Sequence, residues 1–84
     1  MKNKMKWEYS KLKGKIKEVY DTQEAFSRKI GLSTTSLNYK LNNQIQFRQE
    51  EIYSMINALS LEEGEIKLYF FTPLVEKTQQ NKSA

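Results

Sequence analysis

Ser33, Thr34, Thr35, Ser36, Asn38 and Tyr39 put six hydroxyl or amide side chains into seven residues, directly after Gly31 and Leu32. Such groups donate and accept hydrogen bonds without carrying charge. Their chemistry is recognition rather than bond breaking. The rest of the chain supports that reading, because it contains no histidine and no cysteine. The usual general base near neutral pH is missing, and so are the thiolate nucleophile, the thiolate metal ligand and the disulfide. The acidic residues sit on what read as exposed helix faces. No catalytic residue, metal site, cofactor or small-molecule ligand is expected, and the chain does not read as an enzyme.

Positioning those side chains is a task for short helices. Tyr9, Leu12, Ile16, Val19 and Tyr20 recur at helical spacing and predict a first helix over about 9–19. Gly14 inside it is a weak helix former and suggests a close helix approach. Asp21 and Thr22 then interrupt. Either can cap a second helix over 23–30, Asp21 as a box with Glu24 or Thr22 directly before Gln23. Ala25, Phe26 and Ile30 form its apolar face, with Arg28 and Lys29 outward. Gly31 stands where a helix ends in a left-handed residue, and Leu32 is expected to plug the turn into the core.

Ser33 can cap a third helix over 34–42, whose inward face is Leu37 and Leu41. Asn42 and Asn43 terminate it. An extended connection over 44–48 should point Ile45 and Phe47 inward. A fourth helix over 49–59 places Ile52, Met55, Ile56 and Leu59 on one face. Ser60 with Glu63 reads as a capping box opening a fifth helix over 61–68. Tyr69, Phe70 and Phe71 follow, and Pro73 prevents further helix. The organisation expected is a lysine-rich, solvated arm over 1–7 ending in Trp7, one domain over 8–74, and a disordered polar tail over 75–84.

Eighty-four residues suffice for a single small domain. An all-helical arrangement is economical at this size, because local contacts cost little loop-closure entropy. Residues 1–48 carry 11 Lys/Arg against 4 Asp/Glu, whereas residues 49–84 carry 3 against 6. A basic half facing a polyanion is one reading of that imbalance, and lysines that merely solvate exposed helices are the other. No run approaches the roughly 18 apolar residues of a membrane span. The N-terminus lacks the apolar region of a signal peptide, so a cytoplasmic location is expected.

The run from Thr22-Gln23 through Ala25-Phe26-Ser27 to Ile30-Gly31-Leu32-Ser33 and Ser36-Leu37 resembles the helix-turn-helix of lambda-repressor-like, Cro-type phage regulators. The similarity extends over roughly residues 8–74, with the helix-turn-helix core at 22–42. It implies a five-helix, all-α domain with a short extended C-terminal segment, whose third helix enters the major groove of DNA. Thr34, Thr35, Asn38 and Tyr39 would then contact bases. Asparagine can pair bidentately with adenine, and threonine can set its methyl against that of thymine. Gln23, Ser33, Arg28, Lys40 and Asn43 would contact the DNA backbone, Gln23 aided by the positive end of its helix.

Each position also has a plainer role. Ser33 can be only a cap, and Arg28, Lys29 and Lys40 can be only solvated. Tyr69, Phe70 and Phe71 either close the core or, with Ile66 and Leu74, form a dimer face. A homodimer would suit a pseudo-palindromic operator. The function implied is a sequence-specific, double-stranded DNA-binding regulator of the Cro type, cytoplasmic in a phage-infected host. The alternative is a protein-interaction module, binding a host or phage regulator through its helical scaffold and aromatic C-terminal segment.

Overall fold

The computed structural model describes residues 5–75. Five helices follow one another: α1 (Ser10–Tyr20), α2 (Gln23–Ile30), α3 (Thr34–Leu41), α4 (Gln49–Leu59) and α5 (Glu63–Phe70). The expected all-α, five-helix class is what the chain adopts. Residues 1–4 of the expected arm and 76–84 of the expected tail lie outside the described residues.

Local side chains set most of the helix ends. Asp21 is not the N-cap of α2: it takes φ 71° and closes α1 as its C-cap, while the Thr22 hydroxyl accepts the Ala25 N–H at 3.1 Å to open α2. Ser33 does the same for α3, accepting the Ser36 N–H at 3.0 Å. Three helices then end in one pattern. Gly31, Asn43 and Ser60 all adopt positive φ. The N–H of the following residue reaches back five positions, Leu32 to Ser27 at 2.9 Å, Gln44 to Tyr39 at 2.9 Å and Leu61 to Ile56 at 3.0 Å. This is the Schellman closure, which satisfies carbonyls that the helix leaves open. Ser60 therefore ends α4 rather than beginning α5. The box that opens α5 lies two residues later, where Glu65 Oε1 accepts the Glu62 N–H at 2.9 Å.

Inward-facing residues of every helix meet in one core. Leu12 and Ile16 come from α1, Phe26 from α2, Leu37 and Leu41 from α3, Met55 and Leu59 from α4, and Phe70 from α5, with Tyr9 and Leu61 beside them. α2 packs against α1, α3 and α4, and α1 packs also against α4 and α5. The Tyr20 hydroxyl donates to the Ala58 carbonyl at 2.9 Å, joining the end of α1 to α4. Ser27, buried on α2, donates to the Glu24 carbonyl at 2.8 Å and lies 3.2 Å from the Thr34 hydroxyl on α3. Two sequence expectations give way here. Nothing lies within 4 Å of where a Gly14 Cβ would stand, so that glycine serves no close approach. Ile45 turns outward, 47% exposed, and only Phe47 of the connection packs on the core.

Candidate functional site

Two surfaces compete for the role of functional site. The first is the outward side of α3. Thr35, Asn38 and Tyr39 are exposed there, whereas Thr34, also exposed, precedes Leu37 by three residues and sits at the edge facing α2, its hydroxyl 3.2 Å from that of Ser27. Asn38 Oδ1 accepts from Asn42 Nδ2 at 3.2 Å, which occupies part of its amide. Among the backbone-contact candidates, Gln23 is half-buried and Ser33 is exposed. Arg28 is exposed and pairs with Glu24 at 3.1 Å.

Lys40 departs from expectation. It stands three residues after Leu37 and one before Leu41, on the inward side of the helix. Its side chain is 8% exposed, and its ammonium donates to both Glu51 oxygens, at 2.6 and 2.7 Å. Burial alone would raise the Glu51 pKa. The Arg48 N–H, donating to Glu51 Oε1 at 2.8 Å, and the Lys40 ammonium outweigh that effect and hold it below the usual carboxylate value. Lys40 is thus an internal tie between α3 and α4 and is withdrawn as a phosphate contact. The spacing 37, 40, 41 carried that signal in the sequence. What remains on the outward side of α3 is polar and uncharged.

Asn43 also has an internal task. Glu8 N–H donates to the Thr72 carbonyl at 2.8 Å, and Leu74 N–H to the Lys6 carbonyl at 3.0 Å. These two bonds bracket an isolated antiparallel bridge between Trp7 and Pro73. In such a pair the N–H and C=O of Trp7 point away from the partner strand. Asn43 meets both: its Oδ1 accepts the Trp7 N–H at 2.8 Å and its Nδ2 donates to the Trp7 carbonyl at 2.9 Å. Pro73 has no N–H to offer on the opposite edge. The end of the lysine-rich arm is therefore fixed to the body of the protein rather than solvated.

The second surface grows from this junction. The Trp7 ring stands edge-on to Phe71, centroids 5.8 Å apart. Phe71 meets Phe70 at 6.5 Å, Phe70 meets Phe47 at 6.3 Å, and Phe47 meets Tyr9 at 5.5 Å. Aromatic contact is continuous from the buried core to the surface, where Met5, Ile45, Phe71, Leu74 and Val75 are exposed large hydrophobics. Trp7 and Tyr9 form a shared wall between two shallow clefts of about 110 and 170 Å³, one reaching Met5 and Ile45 and the other Phe47 and Phe71. Of the expected dimer residues, Phe70 is buried and unavailable, and Ile66 and Tyr69 are half-buried against the core. Phe71 and Leu74 remain outward. Sequence reasoning missed Trp7, whose one signal was an aromatic at the end of a polar arm.

No curated protein matches the chain. Among solved structures it is similar to the modulator of repression of the temperate bacteriophage TP901-1 from Lactococcus lactis. The two are 37% identical, covering 80% of this chain and 90% of that one, with a TM-score of 0.68. This finding overturns the resemblance to Cro-type, lambda-repressor-like regulators. Paired short helices around a glycine turn, and the apolar spacing that packs them, suit both kinds of protein and did not separate them. The chain is similar to a modulator of repression and is not a Cro-like repressor. A family model described as a protein of unknown function, DUF739, matches residues 5–73, and the chain belongs to that family.

Proposed function

We propose that this protein is a phage regulatory protein that works by docking on another transcription regulator, and that the aromatic surface around Trp7, Phe71 and Leu74 is its docking face. The observation that carries the reading is the inward turn of Lys40. With its ammonium held by Glu51, α3 presents no charge to a phosphate backbone, and phosphate contacts supply most of the affinity of a DNA-binding module. Exposed aromatic and aliphatic side chains suit a protein partner instead, since aromatic residues are enriched and charged ones depleted at the centres of protein interfaces. A relative named as a modulator of repression accords with action on a regulator. No described helix is long and apolar enough to cross a membrane, which accords with action in the host cytoplasm.

A second reading has one observation in its favour: Thr35, Asn38 and Tyr39 share one exposed side of α3, with Thr34 exposed at its edge. Under it the chain contacts bases in double-stranded DNA through those residues, with Gln23 and Ser33 near the backbone, as a homodimer joined through Phe71 and Leu74. Two measurements separate the readings. Calorimetric titration against the transcription regulator encoded in the chain's own genomic neighbourhood should give saturable binding. Gel-shift assays on DNA from that neighbourhood should show no retardation by this chain alone. DNA binding that weakens steeply between about 50 and 200 mM salt, as counterion release requires, together with no heat from the regulator, would replace the first reading by the second.

A further inference from the structure

We infer that Asn43 is a positioning residue for the docking face: its side chain holds Trp7 in place and so ties the end of α3 to the aromatic surface. The inference rests on the reading that this surface docks a regulator. Two independent demands fall on position 43. Its backbone has φ 66°, a region that disfavours side chains in general and that asparagine tolerates better than most. Its side chain must also accept one hydrogen bond and donate another to the two outward peptide groups of Trp7, which it does at 2.8 and 2.9 Å. Glycine meets the first demand and not the second. Aspartate offers the acceptor and lacks the donor.

The bonds span 36 positions in the sequence. They join the turn after α3 to a segment that is otherwise held to the body through residues 72–74. Trp7 in turn presents its ring to Phe71 and lines both clefts. Without Asn43, the outward N–H and C=O of Trp7 lose both protein partners and turn to water in the adjoining cleft, which leaves the segment held only through residues 72–74. The ring would then lose its fixed pose, and docking would have to order it again. Ordering on binding weakens affinity.

The test compares Asn43→Gly and Asn43→Asp with the native chain in three measurements. These are thermal stability, amide exchange of the Trp7 N–H together with emission from Trp7, the single tryptophan, and affinity for the neighbouring regulator. Asn43→Gly suits the backbone, which offsets part of the two lost hydrogen bonds, so its melting temperature should fall by only a few degrees. Its Trp7 amide should exchange about tenfold faster, its emission should shift to the red, and its affinity should fall by about tenfold. Asn43→Asp keeps the acceptor, so the Trp7 amide should regain protection and affinity should recover in part. Native-like exchange and emission in Asn43→Gly would overturn the positioning role, as would a freed Trp7 with unchanged regulator affinity. If the native chain binds no regulator, the docking reading fails instead, and exchange and emission still decide whether Asn43 holds Trp7.

Discussion

The outward side of α3 and the aromatic face at the chain ends are both exposed, yet they are built in opposite ways. α3 is local. Its cap, Ser33, bonds three residues ahead, its closing turn at Asn43 reaches back within a single turn, and its outward side chains are hydroxyls and amides. The aromatic face is assembled from distant parts: Trp7 near one end, Asn43 and Phe47 in the middle, Phe71 and Leu74 near the other end. A local helix side can keep its shape while its chemistry changes freely. A face made of distant segments exists only when the whole fold has formed. On the reading proposed above, docking falls to the aromatic face, and Lys40, on the hidden side of α3, ties that helix to α4.

The largest effect that would break this comparison is expected at Lys40. Lys40→Ala leaves the half-buried Glu51 carboxylate without its cation and should cost about 1.5–3 kcal/mol in urea unfolding. The paired replacement Lys40→Met with Glu51→Leu should recover most of that loss. A cost below about 0.5 kcal/mol, typical of an exposed site, would return Lys40 to the surface. The same pair has a pH signature. Glu51 titrates below its unfolded value, so its contribution is complete above the unfolded carboxylate pKa of about 4.3. It is lost as pH falls through the lower folded value. Acid titration of the native chain, followed by circular dichroism, should show a destabilising step there that is absent from the Lys40→Met, Glu51→Leu chain.

Next in size are the docking residues themselves. Phe71→Ala with Leu74→Ala should weaken regulator binding by about 30-fold or more, the scale of a truncated hot spot. Thr35→Ala with Asn38→Ala should change it by less than about twofold. Equal losses from both pairs would erase the distinction between the two surfaces. The smallest effect concerns α1. Gly14→Ala places a methyl group where nothing lies within 4 Å and should stabilise the fold by about 0.5–1 kcal/mol, read as a higher urea midpoint with binding unchanged.

What the sequence made legible follows from distance along the chain. Gly31 and Ser33 could be assigned because a capping hydroxyl and a left-handed glycine act on backbone within a few residues, whereas Asp21 and Thr22 stayed open until Thr22 was seen to accept the Ala25 N–H. The start of α5 was harder: Ser60 with Glu63 and Glu62 with Glu65 offer overlapping boxes two residues apart. Closure of α4 through Ser60 at φ 54° decided between them. Ile45 alternates with Phe47 as a strand residue would, but the connection is not a paired strand and its side chain turns out. Lys40 stands at an inward spacing from Leu37 and Leu41, but its charge argued for an outward side chain, and the partner that lets it turn in, Glu51, lies eleven residues later. The Trp7 junction with Asn43 joins residues 36 apart, and no local pattern encodes it. Of the candidate site, the exposed α3 residues were legible, and the aromatic face was visible only as its C-terminal half.

The most direct test is a nuclear magnetic resonance titration of the isotope-labelled chain with the regulator encoded beside it. The amides of Trp7, Phe71 and Leu74 and the Trp7 indole should shift or broaden strongly, while those of Thr34, Thr35 and Asn38 move little. Perturbation centred on Thr34, Thr35 and Asn38, with Trp7 and Phe71 unmoved, would contradict docking through the aromatic face.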